Sequence, residues 1–174
     1  MVINLITFAS ILHKQASVRS SHEVILTELE KYFTVNFIDY KDIDKLSPDD
    51  FSIIFIATGG VERLVIQHFE SLPRPAILLA DALEISSWLR GRGMKSEILH
   101  GELPETIKRI FVLHSNFVAQ RSLFGMRIGV MGTPSSWRVA SNVDYLLAKR
   151  RWGIEYTDVS LDRIYEYYGQ ITDD

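Results

Sequence analysis

Three short stretches bring together side chains and backbone able to meet a small polar ligand. "SILHKQASVRS" runs from Ser10 to Ser20 and is rich in hydroxyl, amide and basic groups, with His13 near its start. "TGGVER", residues 58–63, sets Gly59 and Gly60 directly before a helical pattern, with Glu62 and Arg63 beside them. Bare backbone N–H groups there could face an anion or a sugar hydroxyl, although two glycines also serve simply to turn a chain. Glu62 and Arg63 read equally as a surface pair worth under ~1 kcal/mol. The third stretch lies within "RIGVMGTPSSWRVAS", where Gly132, Pro134, Ser135, Ser136, Trp137 and Arg138 follow a strand-like run. One of the two serines can cap the following helix. Trp137 then stands in the first turn, where an indole face can carry the C–H surface of a sugar or pack on a neighbouring helix, and Arg138 can donate hydrogen bonds around the ring.

No catalytic constellation accompanies these stretches. "TGGVER" lacks the third glycine of a dinucleotide fingerprint, and no Gly-Lys-Ser/Thr occurs anywhere. The histidines at 13, 22, 68, 100 and 114 include no His-Glu-x-x-His pair, and Gly-x-Ser-x-Gly is absent. His68 and His114 fall inside helical patterns and read as structural, whereas His13, in the first loop, and His100, at a strand end, are candidates for ligand contact. The site residues expected are therefore Gly59, Gly60, Glu62, Ser135, Trp137, Arg138 and His13, all for binding; none is catalytic and none holds a metal.

Such groups need a frame. Apolar runs at 2–9, 35–40, 51–58, 76–80, 97–100, 127–132 and 155–158 alternate with amphipathic segments, the mark of βαβ units around a parallel sheet. "FSIIFIA" and "AILLA" are nearly continuous apolar runs, as strands covered on both faces require. Helical periodicity covers 18–33, with Ser17 placed as an N-cap, then 62–72, 81–90, 104–123, 136–152 and 161–168. Prolines 73 and 75 and glycines 91, 93 and 125 supply stops. The expected fold is α/β: a three-layer αβα, flavodoxin-like doubly wound parallel sheet of five strands in the order 2-1-3-4-5, with a C-terminal βαβ extension. Gly125 is the expected boundary, giving a domain over 1–124 and a segment over 125–174 that either extends the first sheet or opens a second unit. In such sheets ligands sit beyond the carboxyl ends of the strands, where all three stretches fall.

A 174-residue chain with 47% hydrophobic and 24% charged residues can bury a sizeable core. Its net charge of -3 offers no footprint for nucleic acid, and Lys149, Arg150 and Arg151 read as a solvated helix end whose cations meet the helix dipole favourably. No apolar stretch approaches the ~20 residues that span a bilayer, and no signal peptide is recognisable. The absence of cysteine rules out disulfides and thiolate chemistry and fits a cytoplasmic protein.

Several segments resemble the L-fucose isomerase-like sugar isomerases, related to the arabinose isomerases. "RIGVMGTPSSWRVASNVDY" followed by "WGIEYTDVSLDRIYE" is similar to their Gly-x-Pro-Ser-Asp-Trp-Leu-Ile-Ala-Ser segment and the Trp-Gly-Ile/Val strand after it. "FIATGGVER" looks like their Thr-Gly-Gly-Thr-Glu segment, and "PAILLADALEISSWLRGRG" with "ILHG" like their LL, ALEILSWL and ILHG stretch. The resemblance covers nearly the whole chain in the right order. It implies the N-terminal portion of a multi-domain homo-oligomer that interconverts aldose and ketose sugars with manganese or another divalent metal. The metal ligands and acid/base carboxylates would lie in later domains, so this portion would hold no cofactor, shape a sugar pocket and assist assembly. By position, Gly59, Gly60 and Glu62 match the first motif, with Val61 replacing threonine. Gly132, Pro134, Ser135, Trp137, Ala140 and Ser141 match the second, with Ser136 for the usual aspartate and Arg138 for the usual leucine. Asp81 alone stands where relatives carry a longer turn. The alternative is a stand-alone flavodoxin-like module that binds a small ligand without catalysis.

Overall fold

A computed structural model of the 174-residue chain describes residues 1–10, 15–133 and 142–171. The chain divides into two compact units, Met1–His114 and Ser115–Asp174. In the first, β1 (Val2–Phe8), β2 (Thr34–Asp39), β3 (Ser52–Ile56), β4 (Ala76–Leu79) and β5 (Ser96–Leu99) form a parallel sheet in the order β2-β1-β3-β4-β5. Leu5 lies opposite both Phe37 and Ile53, and Ile54 opposite Leu78, which in turn faces Ile98. This is the doubly wound α/β fold that the alternating apolar runs predict.

Six of the seven β1 residues and all of β3 and β4 are buried, as strands with helices on both faces must be. Because side chains alternate along a strand, the apolar runs split into two cores. Ile6, Phe8, Ile54, Ile56 and Leu78 pack with Val65 of α3 (Glu62–Gln67) and Ile85 and Leu89 of α4 (Leu83–Gly91). Ile3, Leu5, Ile53, Phe55, Ile77 and Leu79 point the other way. They are buried along with Val18 of α1 (Gln15–Ser21), Leu26 and Leu29 of α2 (Glu23–Glu30), and Ile107 and Ile110 of α5 (Leu103–Leu123). Each such side chain contributes ~1.5–3 kcal/mol of burial. α5 is tied to β5 by Arg109, whose Nε and a terminal nitrogen reach the two Glu97 carboxylate oxygens at 2.5 and 2.9 Å. That pairing holds the Glu97 carboxyl below the usual carboxylate range.

Three expected helices differ in extent. The segment at 18–33 is two helices parted at His22, and Ser17 lies inside α1 rather than capping it. The Ser20 and Ser21 hydroxyls and the His22 ring all hydrogen-bond to carbonyls of α1, a competition with the helical ladder that marks its end. The segment at 62–72 is helical only to Gln67; a 3-10 turn over Phe69–Ser71 takes up the rest before the prolines. A second 3-10 turn, Tyr40–Lys45, links β2 to β3 and is capped by Asp39, whose carboxylate accepts from the Lys41 N–H.

In the second unit β6 (Arg127–Met131) and β7 (Glu155–Val159) pair in parallel with each other, with Gly129 opposite Thr157. They form their own two-stranded sheet. Between them α6 (Tyr145–Trp152) forms the later part of the segment expected to be helical over 136–152, of which 136–141 lie outside the described residues; Asp144 caps it by accepting from the Leu147 N–H at 2.8 Å. It ends on Gly153, in the left-handed conformation at φ 70°. Tyr145 stacks on Tyr156 at 5.0 Å and donates to Asp158 at 2.6 Å, while Lys149 pairs with Glu155 at 2.7 Å. The Asp158 carboxylate accepting that bond pushes the Tyr145 phenol up. α7 (Leu161–Tyr168) is capped by the Ser160 hydroxyl.

Candidate functional site at the carboxyl edge of the sheet

The exits of β1 and β3 are stitched together: the Ala57 N–H donates to the Phe8 carbonyl at 2.9 Å and the Ser10 N–H to Thr58 Oγ1 at 2.8 Å. Thr58 thus holds the first and third loops side by side at the rim. Gly59 and Gly60 follow, both exposed. Gly60 has φ 75°, which glycine adopts at little cost, and a Cβ at either position would meet nothing within 4 Å. The turning role expected for this pair is therefore present at Gly60, and no close approach demands glycine at 59. Glu62 is half-buried in the first turn of α3. With six residues, α3 has a weak dipole, and the Glu62 carboxylate already complements it.

Beneath this rim Phe8, Tyr40 and His68 form an aromatic group. Phe8 stacks on Tyr40 at 5.4 Å and His68 meets Tyr40 edge-on at 5.4 Å. His68 Nδ1 lies 2.8 Å from the Leu64 carbonyl at the end of α3. His22 sets its ring edge-on to Phe55 at 4.9 Å and His114 meets Phe51 at 5.0 Å. Burial, with a smaller contribution from the N-terminal ammonium, holds the His114 imidazole below its ordinary value. These three histidines pack; His100, exposed at the end of β5, does not share that setting.

A cleft of about 500 Å³ opens farther along the same edge, at the ends of β4 and β5. Its walls are Ile25 of α2, Leu79 through Leu83, Ile98 through Gly101, and Leu103 and Thr106 of α5. The size is that of small-molecule sites. Two features shape its mouth. Ala80 has φ 80°, a left-handed conformation that costs a residue with a Cβ ~1–2 kcal/mol, and this places Asp81 at the turn into α4. Gly101, at φ 98°, would bring a Cβ to 3.2 Å from Glu105 Oε2.

Of the expected site residues, Gly59, Gly60 and Glu62 sit together at the exit of β3. His13, Ser135, Trp137 and Arg138 lie outside the described residues, as do Pro134, Ser136, Ala140 and Ser141. Gly132 belongs to the second unit, at φ 75°, with its N–H donating to the Val159 carbonyl at 3.0 Å. His100 does line a cavity, and Asp81, noted in the sequence only as the residue left in a shortened turn, lines the same one. Thr106 and Ile25 were not anticipated. Thr106 is the hydroxyl residue among the buried positions Thr106, Ile107 and Ile110 of α5, a polar group on an apolar stripe that could have drawn notice.

Among the described residues no group of three or more His, Asp or Glu side chains is placed to hold a metal ion. Among them, too, no helix is long and apolar enough to cross a membrane. No protein-family model matches this chain, and no curated protein matches its sequence.

Proposed function

We propose that this chain is the N-terminal substrate-recognition and assembly portion of an L-fucose isomerase-like aldose–ketose isomerase, acting in the cytoplasm within a homo-oligomer. The observation that carries the reading is positional. Three segments on which the resemblance rests, "TGGVER", "LLADALEI" and "ILHG", leave β3, β4 and β5 at the same carboxyl edge of one parallel sheet. That edge is where ligands of open α/β sheets bind. In this reading Gly59, Gly60 and Glu62 of the first unit meet hydroxyls of the sugar, while the part of Ser135, Trp137 and Arg138, which lie outside the described residues, rests on the resemblance alone. None of them moves the proton between C1 and C2. A divalent metal polarising the sugar oxygens and a carboxylate pair doing that work would come from a later region.

The test is a titration of the purified chain with L-fucose, L-arabinose and their ketose isomers, following backbone amide signals together with a turnover assay. The expected result is saturable shifts at Gly59, Gly60 and Glu62 with no isomerisation. Turnover by this chain, or saturating sugar with these three amides unmoved, overturns the reading.

One observation favours a second reading, a stand-alone small-ligand module: the described residues that line the 500 Å³ cleft all belong to the Met1–His114 unit. Calorimetry of the same chain against phosphates, nucleotides and sugars separates the two. Tighter binding of a phosphate or nucleotide than of any sugar supports the module; binding of sugars alone supports the first reading.

A further inference from the structure

The cleft at the ends of β4 and β5 has a chemistry of its own, independent of the sugar reading. Of the twelve described residues that line it, eight are apolar: Ile25, Leu79, Ala80, Ala82, Leu83, Ile98, Leu99 and Leu103. Among the described residues its polar side chains are Asp81, His100 and Thr106, with no lysine or arginine. A sugar presents hydroxyls all around its ring and would leave most of them against hydrocarbon, at the cost of unmade hydrogen bonds. An anion fares worse. The cleft borders the first turns of α4 and α5, whose N-terminal ends carry about half a positive charge each, but Glu84 and Glu105 in those turns each bring a full negative charge, and Asp81 adds another.

Thr106 is the one buried polar side chain among the described residues that line the cleft. It is 4% exposed, and within the described residues its side chain makes no hydrogen bond. No described buried side-chain oxygen is both sealed off and unpartnered, so the Thr106 hydroxyl keeps an opening, and Thr106 is one of the residues that line the cleft. The walls thus offer an apolar body, a carboxylate at the mouth and an unengaged hydroxyl inside. The strained turn at Ala80 fixes where that carboxylate stands.

We infer that this cleft is a binding site for a small amine with an apolar body, its ammonium held at Asp81 and its hydrocarbon part against Ile25, Leu79 and Leu99 beneath Thr106. An alkyl amine is protonated at neutral pH, since its pKa lies near that of lysine, about 10.4. Asp81 is exposed, so the ion pair separates related ligands by only about two- to fivefold, while the apolar walls supply most of the affinity.

The test uses the full chain and three matched probes, phenethylamine, 2-phenylethanol and 3-phenylpropionate, with L-arabinose as a fourth, in titrations followed by amide signals and calorimetry at low salt. The expected order is amine over alcohol by about two- to fivefold, with the carboxylate weakest. Signals of Ile25, Leu99 and Thr106 move together. Asp81→Asn abolishes the gap between amine and alcohol without altering thermal stability. Thr106→Val, its folding verified by circular dichroism, leaves the ratio of amine to alcohol unchanged, because the discrimination lies at Asp81. Equal binding of the three aromatic probes overturns the inference, as does a gap that survives Asp81→Asn, saturation without movement at the cleft, or arabinose binding there more tightly than the amine. None of these outcomes touches the sugar reading, which stands or falls on the amides of Gly59, Gly60 and Glu62.

Discussion

Replacing Ala80 by glycine should leave the protein as stable as before or more so, the reverse of the usual effect of that substitution. Alanine to glycine ordinarily costs ~0.4–1 kcal/mol, because glycine has more freedom to lose on folding. At φ 80°, however, the backbone is held in a left-handed region where the Ala80 methyl costs ~1–2 kcal/mol, and glycine is released from that cost. The two effects oppose, and the relief is the larger, so the expected change lies between about zero and 1.6 kcal/mol in favour of Ala80→Gly. Ala80→Val should go the other way by more than about 1 kcal/mol, since a β-branched side chain in this region is a steric outlier. Urea titrations followed by far-ultraviolet circular dichroism give both numbers. A loss of about 1 kcal/mol in the glycine variant, matching its ordinary cost, would refute the idea that Ala80 stores strain. The glycine variant also holds Asp81 less firmly, and its preference for the amine probe over the alcohol should narrow.

Other consequences follow from the same geometry. Ser96 is buried, 2.8 Å from the Ser86 hydroxyl, and its own oxygens accept from Arg90 at 3.3 and 2.8 Å. Ser96→Val should destabilise the first unit by ~1–3 kcal/mol by orphaning the Ser86 hydroxyl, measurable in the same titrations. Gly153→Ala would put a Cβ 2.3 Å from the Phe124 ring at φ 70° and should cost ~1–2 kcal/mol in backbone strain alone, read as lost amide protection in β6 and β7. Adding Phe124→Ala should recover the part due to the ring. His114 should titrate below 6.5 by proton NMR, because burial disfavours its charged form. The sign is that of a depressed base: its contribution is intact above 6.5 and is lost as the pH falls from there through the folded value. His114→Gln should flatten that acid limb.

The sheet could be read from the chain because its signal is local. Runs such as "FSIIFIA" declare strands with both faces covered, and their alternation with helices leaves few topologies open. Helix ends were harder where side chains compete with the ladder, as Ser20, Ser21 and His22 do, or where a cap lies inside an apparently continuous pattern, as Asp144 does. The glycine turn at 59–60 announced itself through composition. The cleft did not: Ile25 and Thr106 come together across 80 residues of sequence, and its leucines and isoleucines carry the same pattern as core positions. Only the fold distinguishes an apolar residue that packs from one that faces a cavity. At Asp81 the sequence showed a short turn, but not the backbone strain beside it.

The second unit has a property of practical weight. Among its described residues no side chain of β6, β7, α6 or α7 is buried, so little hydrocarbon is withdrawn from water when these elements come together. A region held in that way opens often, and an opened region is what a protease cleaves. Trypsin should therefore cut first in the basic run Lys149–Arg150–Arg151 and leave a trimmed fragment retaining the five-stranded sheet, a product whose mass identifies the weak point directly.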